Sequence, residues 1–183
     1  MRDLHLVRSA VRSPTADEAC LATFQAELDY IYRSLRHLGT PTSEVDDLAQ
    51  EVFLALRQCW PRYDATRPPR PFLFGIAFRI AAAHQRKRRR EVPFGIVEPD
   101  ETGPAPDQTL HAKQARALVV AALERLPLAR RAVVVMHEID DVPVSEVASV
   151  LGIPLFTAYS RLRKGRRELE LALRRLLNRK PGT

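Results

Sequence analysis

Apolar residues recur at intervals of three and four along most of the chain, a period that selects helix over strand. Leu21, Phe24, Leu28, Ile31, Leu35 and Leu38 share one face of a helix predicted from about Asp17 to Leu38, which Gly39 and Pro41 end. Val45, Leu48, Ala49, Val52, Leu56 and Cys59 form the inward stripe of a second helix. Ser43 is its expected N-cap, Asp46 lies three residues on, and Asp47 adds charge at the favourable end of the helix dipole. The opposite face carries Asp46, Asp47, Gln50, Glu51 and Phe53; it is either a solvated face or a docking surface. "WPRYDATRPPRP", residues 60 to 71, holds four prolines and two aromatics and predicts a rigid, non-helical loop. A third helix, about Phe72 to Arg90, turns Leu73, Ile76, Ala77 and Ile80 inward and becomes cationic along its C-terminal half.

The pattern then stops. Arg86 to Arg90 are five consecutive basic residues, and the next seventeen, Glu91 to Asp107, contain no Lys or Arg but five acids and four prolines. Proline disfavours helix and little there builds a core, so the stretch predicts a linker. Beyond it, with Asp107 as a possible N-cap, a helix to about Arg125 faces Leu110, Leu118, Ala122 and Leu123 inward, and Pro127 punctuates it. Val133, Val134 and Val135 alone are compatible with a strand, but their flanks keep the helical pattern, so a buried helix is expected. Last comes a short helix marked by Val144, Val147, Ala148 and Leu151, a turn at Gly152, and a second helix from near Pro154 with Ala158 and Leu162 inward. That order is the pattern of a helix-turn-helix. Its outward positions Thr157, Tyr159, Ser160, Arg163 and Lys164 are donors and long basic side chains suited to base edges and phosphates.

Charge strengthens the picture. The chain has 183 residues, room for one ordinary domain or two small ones, and a 45% hydrophobic content that supports a packed core. Its net charge of +7 favours a polyanionic partner, nucleic acid before an anionic membrane. From Arg161 to Lys180 nine basic residues face two acids. With no long apolar run and no secretory pattern, a cytoplasmic location without membrane insertion is expected. Cys20 and Cys59 fit buried free thiols, and the five histidines are not spaced for a metal. Neither a nucleophile–base pattern nor a glycine-rich phosphate loop is present, so no enzyme, no cofactor, no metal and no small-molecule substrate is expected. The basic run at 86 to 90 is open to three readings: a nucleic-acid surface, the solvated end of a helix, or an address label.

Two separated blocks resemble one family. "DDLAQEVFLALRQCW" with "FLFGIAFRIAAAHQRKRRR" is similar to the helical domain of sigma-70-type initiation factors. "ALERLPLARRAVVVMHEIDDVPVSEVASVLGIPLFTAYSRLRKGRREL" is similar to their helix-turn-helix domain. With only these two domains and a short linker, the chain resembles the extracytoplasmic-function (ECF) group. The resemblance implies an all-α fold of two small helical domains, a sigma2-like bundle over 17–90 and a sigma4-like helix-turn-helix over 108–178. An acidic, proline-rich linker over 91–107 would join them, with flexible termini at 1–16 and 179–183.

It also implies partners and sites. Asp47, Gln50, Glu51 and Phe53 match the surface that docks on core RNA polymerase, a partner contributing its beta and beta-prime subunits. Tyr63 and Arg79 match the element that opens and reads the −10 promoter region, with Arg86, Arg88 and Arg89 beside the melted strand. Aromatic and basic side chains on a rigid loop suit unstacked bases. Thr157, Tyr159, Ser160, Arg163, Lys164 and Arg166 match the reader of the −35 promoter DNA. An anti-sigma factor is the implied regulator. This chain departs from the family at Phe72, where Trp is usual; at Arg79 and Ala83, where Asn is frequent; at Phe156, where Gly is usual; and at Tyr159, where a basic residue is usual. Two alternatives stand beside this reading: a stand-alone helix-turn-helix regulator, and an interaction module whose basic faces bind an acidic protein.

Overall fold

A computed structural model describes residues 15–91 and 110–178 of the chain. The stretch read as a linker lies outside the described residues, except for Glu91, which closes a helix. Regular structure among the described residues is helical throughout. Helix α1 (Ala16–Ala26) opens on a capping box: the Thr15 hydroxyl accepts from the Glu18 amide at 3.2 Å, and the Glu18 carboxylate accepts from the Thr15 amide at 2.6 Å. Glu27, at φ −107° and ψ 14°, interrupts the helix, and α2 (Leu28–His37) follows. The single helix expected over 17–38 is therefore two. The break changes the rotational phase, so Leu21 faces out at 43% exposure while Cys20 and Tyr30 enter the core. Gly39, in the left-handed region at φ 89°, ends α2, and the Thr40 amide returns to the Leu35 carbonyl.

Helix α3 (Val45–Cys59) does not start as the spacing predicted. Thr42–Glu44 form a 3-10 turn closed by the Glu44 amide on the Pro41 carbonyl at 3.0 Å. Glu44 then occupies the N-cap position without a side-chain cap bond, and Ser43 lies inside the turn. The proline loop is also shorter than expected. Trp60–Arg62 make a 3-10 turn, and α4 runs over Pro69–Glu91, taking Pro69 and Pro71 into its first turn. Proline there loses no helical bond, because the first amides have no intrahelical acceptor.

The second half comprises α5 (Leu110–Leu123), α6 (Leu128–Val134) with a π-helical extension over Val135–Ile139, α7 (Val144–Leu151) and α8 (Leu155–Leu177). Val133, Val134 and Val135 are fully buried in helix, as the flanking pattern predicted. Cys20 and Cys59 are free thiols; Cys20 is buried, while Cys59 is only half-buried and donates to the Ala55 carbonyl. None of the described helices is long and apolar enough to cross a membrane.

The halves share one continuous core, and polar contacts fasten the joint. Arg131 on α6 is only 6% exposed. Its guanidinium donates to the Leu38 carbonyl at the end of α2 (2.7 Å) and to the Glu124 and Leu126 carbonyls (2.7 and 3.0 Å). Desolvation lowers its pKa to about 10, so it stays charged and the carbonyl dipoles offset its burial. Tyr30 on α2 donates to Asp140, after the π turn, at 2.8 Å. α7 takes Pro143 as its N-cap, and Asp140 ties the halves together. At Gly75 on α4 an added Cβ would stand 2.9 Å from Val150 Cγ1 of α7, so glycine allows those two helices their close approach.

Candidate nucleic-acid interface

The acidic face of α3 is exposed. Asp47, Gln50 and Glu51 point to solvent, and Leu54, absent from the sequence reading, stands exposed on the same face at i+3 and i+4. Phe53 is half-buried; its ring lies 4.9 Å from that of Phe24, so it braces α3 against α1. Asp46 is occupied by the Tyr32 hydroxyl at 2.7 Å.

The aromatic loop feeds α4. Tyr63 sits between Trp60 and Phe72, each 5.0 Å away by ring centroid, and its hydroxyl donates to the Arg67 carbonyl at 2.6 Å. Desolvation, with Asp64 beside it, pushes its phenol up. Asp64 fixes the loop by accepting from the Thr66 amide and hydroxyl, and those bonds hold its carboxyl below the usual range. Arg79 is exposed, and its Nη1 donates to the Gly75 carbonyl one turn back, at 2.8 Å. A cavity of about 290 Å³ collects Tyr63, Arg67, Phe72 and Arg79 on one side and Glu146, Ser149 and Val150 of α7 on the other. Arg67 reaches Glu146 across it at 3.5 Å. α7 therefore forms one wall of the groove that Tyr63, Phe72 and Arg79 line.

The basic end of α4 divides in two. Arg86 and Arg90 are exposed and line an open surface with Lys87 and Ala83. Arg88 instead points to Glu44 at 3.6 Å, beside His84 at 3.3 Å from the same oxygen. Arg89 lies on the same helix.

The helix-turn-helix is formed by α7 and α8. Gly152 takes φ 64° and its amide returns to the Ala148 and Ser149 carbonyls, ending α7 with a left-handed residue. Ala158, Leu162, Gly165 and Ala172 form the buried stripe of α8. A Cβ on Gly165 would lie 2.5 Å from Val134 Cγ2, so glycine sets the α6–α8 distance. On the outer side Tyr159, Arg163 and Lys164 are exposed, and Thr157 and Ser160 are half-buried. Arg166 is engaged: its Nε and Nη2 donate to Glu138 at 2.7 and 2.6 Å, and Arg130 holds Glu168 at 2.8 Å.

Sequence reasoning missed Arg131, Asp140 and Glu146. Arg131 left a signal, since it falls in phase with Leu128 and Val135 on the inward face of α6. Asp140 and Glu146 left none, because their partners Tyr30 and Arg67 are 110 and 79 residues away.

Comparison with known proteins agrees with this architecture. Residues 23–91 match the family described as sigma-70 region 2, and residues 116–169 match sigma-70, region 4. The RNA polymerase sigma factor CnrH of Cupriavidus metallidurans is 29% identical over 153 residues, covering 77% of this chain and 79% of the relative. In fold, the sigma factor RpoE of Bartonella quintana, solved with the anti-sigma factor NepR, matches with a TM-score of 0.66 at 21% identity, over 83% of this chain and 97% of that one. CnrH solved with the cytosolic domain of CnrY matches with a TM-score of 0.57 at 23% identity, over 91% of this chain and all of that one. The two matched regions span well over half of the sequence, in the order and on the helices described above: the chain belongs to the sigma-70 family, as a sigma factor of the ECF group.

Proposed function

We propose that the chain docks on core RNA polymerase through the exposed α3 face, opens and reads the −10 element with the Tyr63 loop and α4, and binds the −35 element with α8. The observation that carries this reading is that two 23-residue helices in separate halves of the chain, α4 and α8, each present a run of cations. A regulator with one DNA element needs only one such helix. Asp47, Gln50, Glu51 and Leu54 form the polymerase contact, with Phe53 holding the face rather than making it. On α4, Arg86 and Arg90 hold the backbone of the melted strand with Arg89, while Tyr63 and Arg79 meet bases. On α8, Thr157, Tyr159, Ser160, Arg163 and Lys164 enter the groove, and Arg166 contributes once it leaves Glu138.

The α4–α7 contact gives this function a resting state. Tyr63 and Arg79 line a groove whose other wall is α7, so moving α7 away from α4 would widen it for single-stranded DNA. The linker joining the halves then allows the two modules to reach two separate elements. An anti-sigma protein that favours this pairing would keep the factor silent; the Bartonella quintana relative was solved with an anti-sigma factor, NepR.

The test is reconstitution. Added to core RNA polymerase, the full chain is expected to direct initiation from a cognate promoter, and Glu51→Lys to abolish transcription while leaving duplex binding through α8 intact. Absence of a complex with core polymerase at moderate salt overturns the reading, and unchanged transcription by Glu51→Lys removes the α3 face from it.

A further inference from the structure

The first turn of α8 carries apolar surface that folding does not use. Phe156 is 84% exposed, with Leu155 at 47% and Tyr159 at 56% beside it. Ala158, Leu162 and Gly165 supply the packing of this helix against α6 and α7, so Phe156 and Tyr159 contribute nothing to the core. Three residues apart, they share a helix face, and Ser160 and Arg163 continue it. Over residues 155–167 α8 holds Arg161, Arg163, Lys164, Arg166 and Arg167 and no acid. The occupant must therefore combine negative charge with an apolar group at its surface.

DNA meets both conditions. Its major groove exposes one apolar group, the C5-methyl of thymine, and the first residues of the second helix of a helix-turn-helix are those that reach base edges. We propose that Phe156 and Tyr159 recognise thymine methyl groups in the element bound by α8, while the cations that follow hold the backbone. The inference rests on the assignment of α8 to −35 DNA and makes it specific: discrimination at the first turn is by methyl contact rather than by a charged fork on guanine.

The experiment uses the full chain with core RNA polymerase and a randomised duplex library. Thymine is expected at one or two enriched positions of the element bound by α8. Replacing each such thymidine by deoxyuridine, which pairs identically but lacks the methyl, is expected to weaken binding about fourfold, the effect of removing one buried carbon. The double variant Phe156→Ala with Tyr159→Ala is expected to bind the two forms equally, whereas Leu177→Ala, an exposed apolar change at the far end of the same helix, keeps the preference. Equal binding of both forms by the native chain overturns the proposal. So does a double variant that selects the same sequences with the same preference, which would leave the patch to a protein partner. Failure to enrich any sequence overturns the promoter reading beneath it, an outcome distinct from enrichment without methyl sensitivity.

Discussion

α4 and α8 have equal length and similar ingredients, aromatic residues near one end and cations along the helix, yet the fold treats them oppositely. Around α4 the aromatics pack on one another, Arg79 is folded back on its own helix, and α7 walls one side of the groove they line. On α8, Phe156 and Tyr159 stand in solvent with nothing packed over them. In the proposed function, the groups assigned to an opened strand are packed along a groove, whereas those assigned to an intact duplex are displayed. Exposed bases stack on any flat apolar surface, so a displayed aromatic row would bind single strands indiscriminately. Groove readers are protected from that by needing the geometry of a duplex.

The largest effect should come from removing what fastens the two halves together. Arg131→Met is expected to destabilise the protein by about 3 kcal/mol in denaturant titration, because the Leu38, Glu124 and Leu126 carbonyls lose their donor inside the joint. Retention of native stability would mean that the joint is carried by apolar packing alone.

Acid should produce a comparable change through His37. Burial first, then Arg33, Arg116 and Arg36, bring its pKa from 6.5 down to about 4, overriding the preference of a helix C-terminus for a charged imidazole. The unfolded chain therefore takes up the proton first. The stability this group contributes is complete above pH 6.5 and is lost as pH falls towards 4, by roughly 3 kcal/mol in all. Asp140 works the other way: burial raises its carboxyl, so the folded state favours its protonated form and gains from it as pH falls. Comparing the native chain with His37→Gln separates the two, and the variant is expected to show a flatter fall in unfolding free energy between pH 7 and 4.

A smaller perturbation breaks the asymmetry without unfolding either half. Gly75→Ala places a Cβ 2.9 Å from Val150, which is expected to weaken the α4–α7 contact by about 1–2 kcal/mol. Hydrogen exchange of the α7 amides should speed up about tenfold at the middle of that range, with duplex binding by α8 unchanged. The mildest test leaves the contact alone. Replacing Arg86, Lys87 and Arg90 by Gln is expected to make the slope of log affinity for single-stranded DNA against log salt shallower by about 2, whatever the sequence.

What was legible in the sequence was what is local. The apolar stripe of α3, the buried valines of α6 and the α7–Gly152–α8 turn all follow from spacing within a few residues. The errors were local too and have local causes. Proline was read as a helix breaker at Pro69 and Pro71, where the first turn tolerates it, and Ser43 as a cap where Pro41 starts a tighter turn.

By itself, then, the sequence determined an all-helical chain with two cationic helices, an acidic face and a helix-turn-helix, because each is written in periodicity or in a run of charge. Only the tertiary structure decided which of those surfaces is covered. Tyr30 with Asp140, Arg131 with Leu38, and Gly75 with Val150 are pairs separated by most of a domain. Whether a polar group finds a partner in the fold or in solvent depends on which helices the shared core brings together, and no local pattern carries that information.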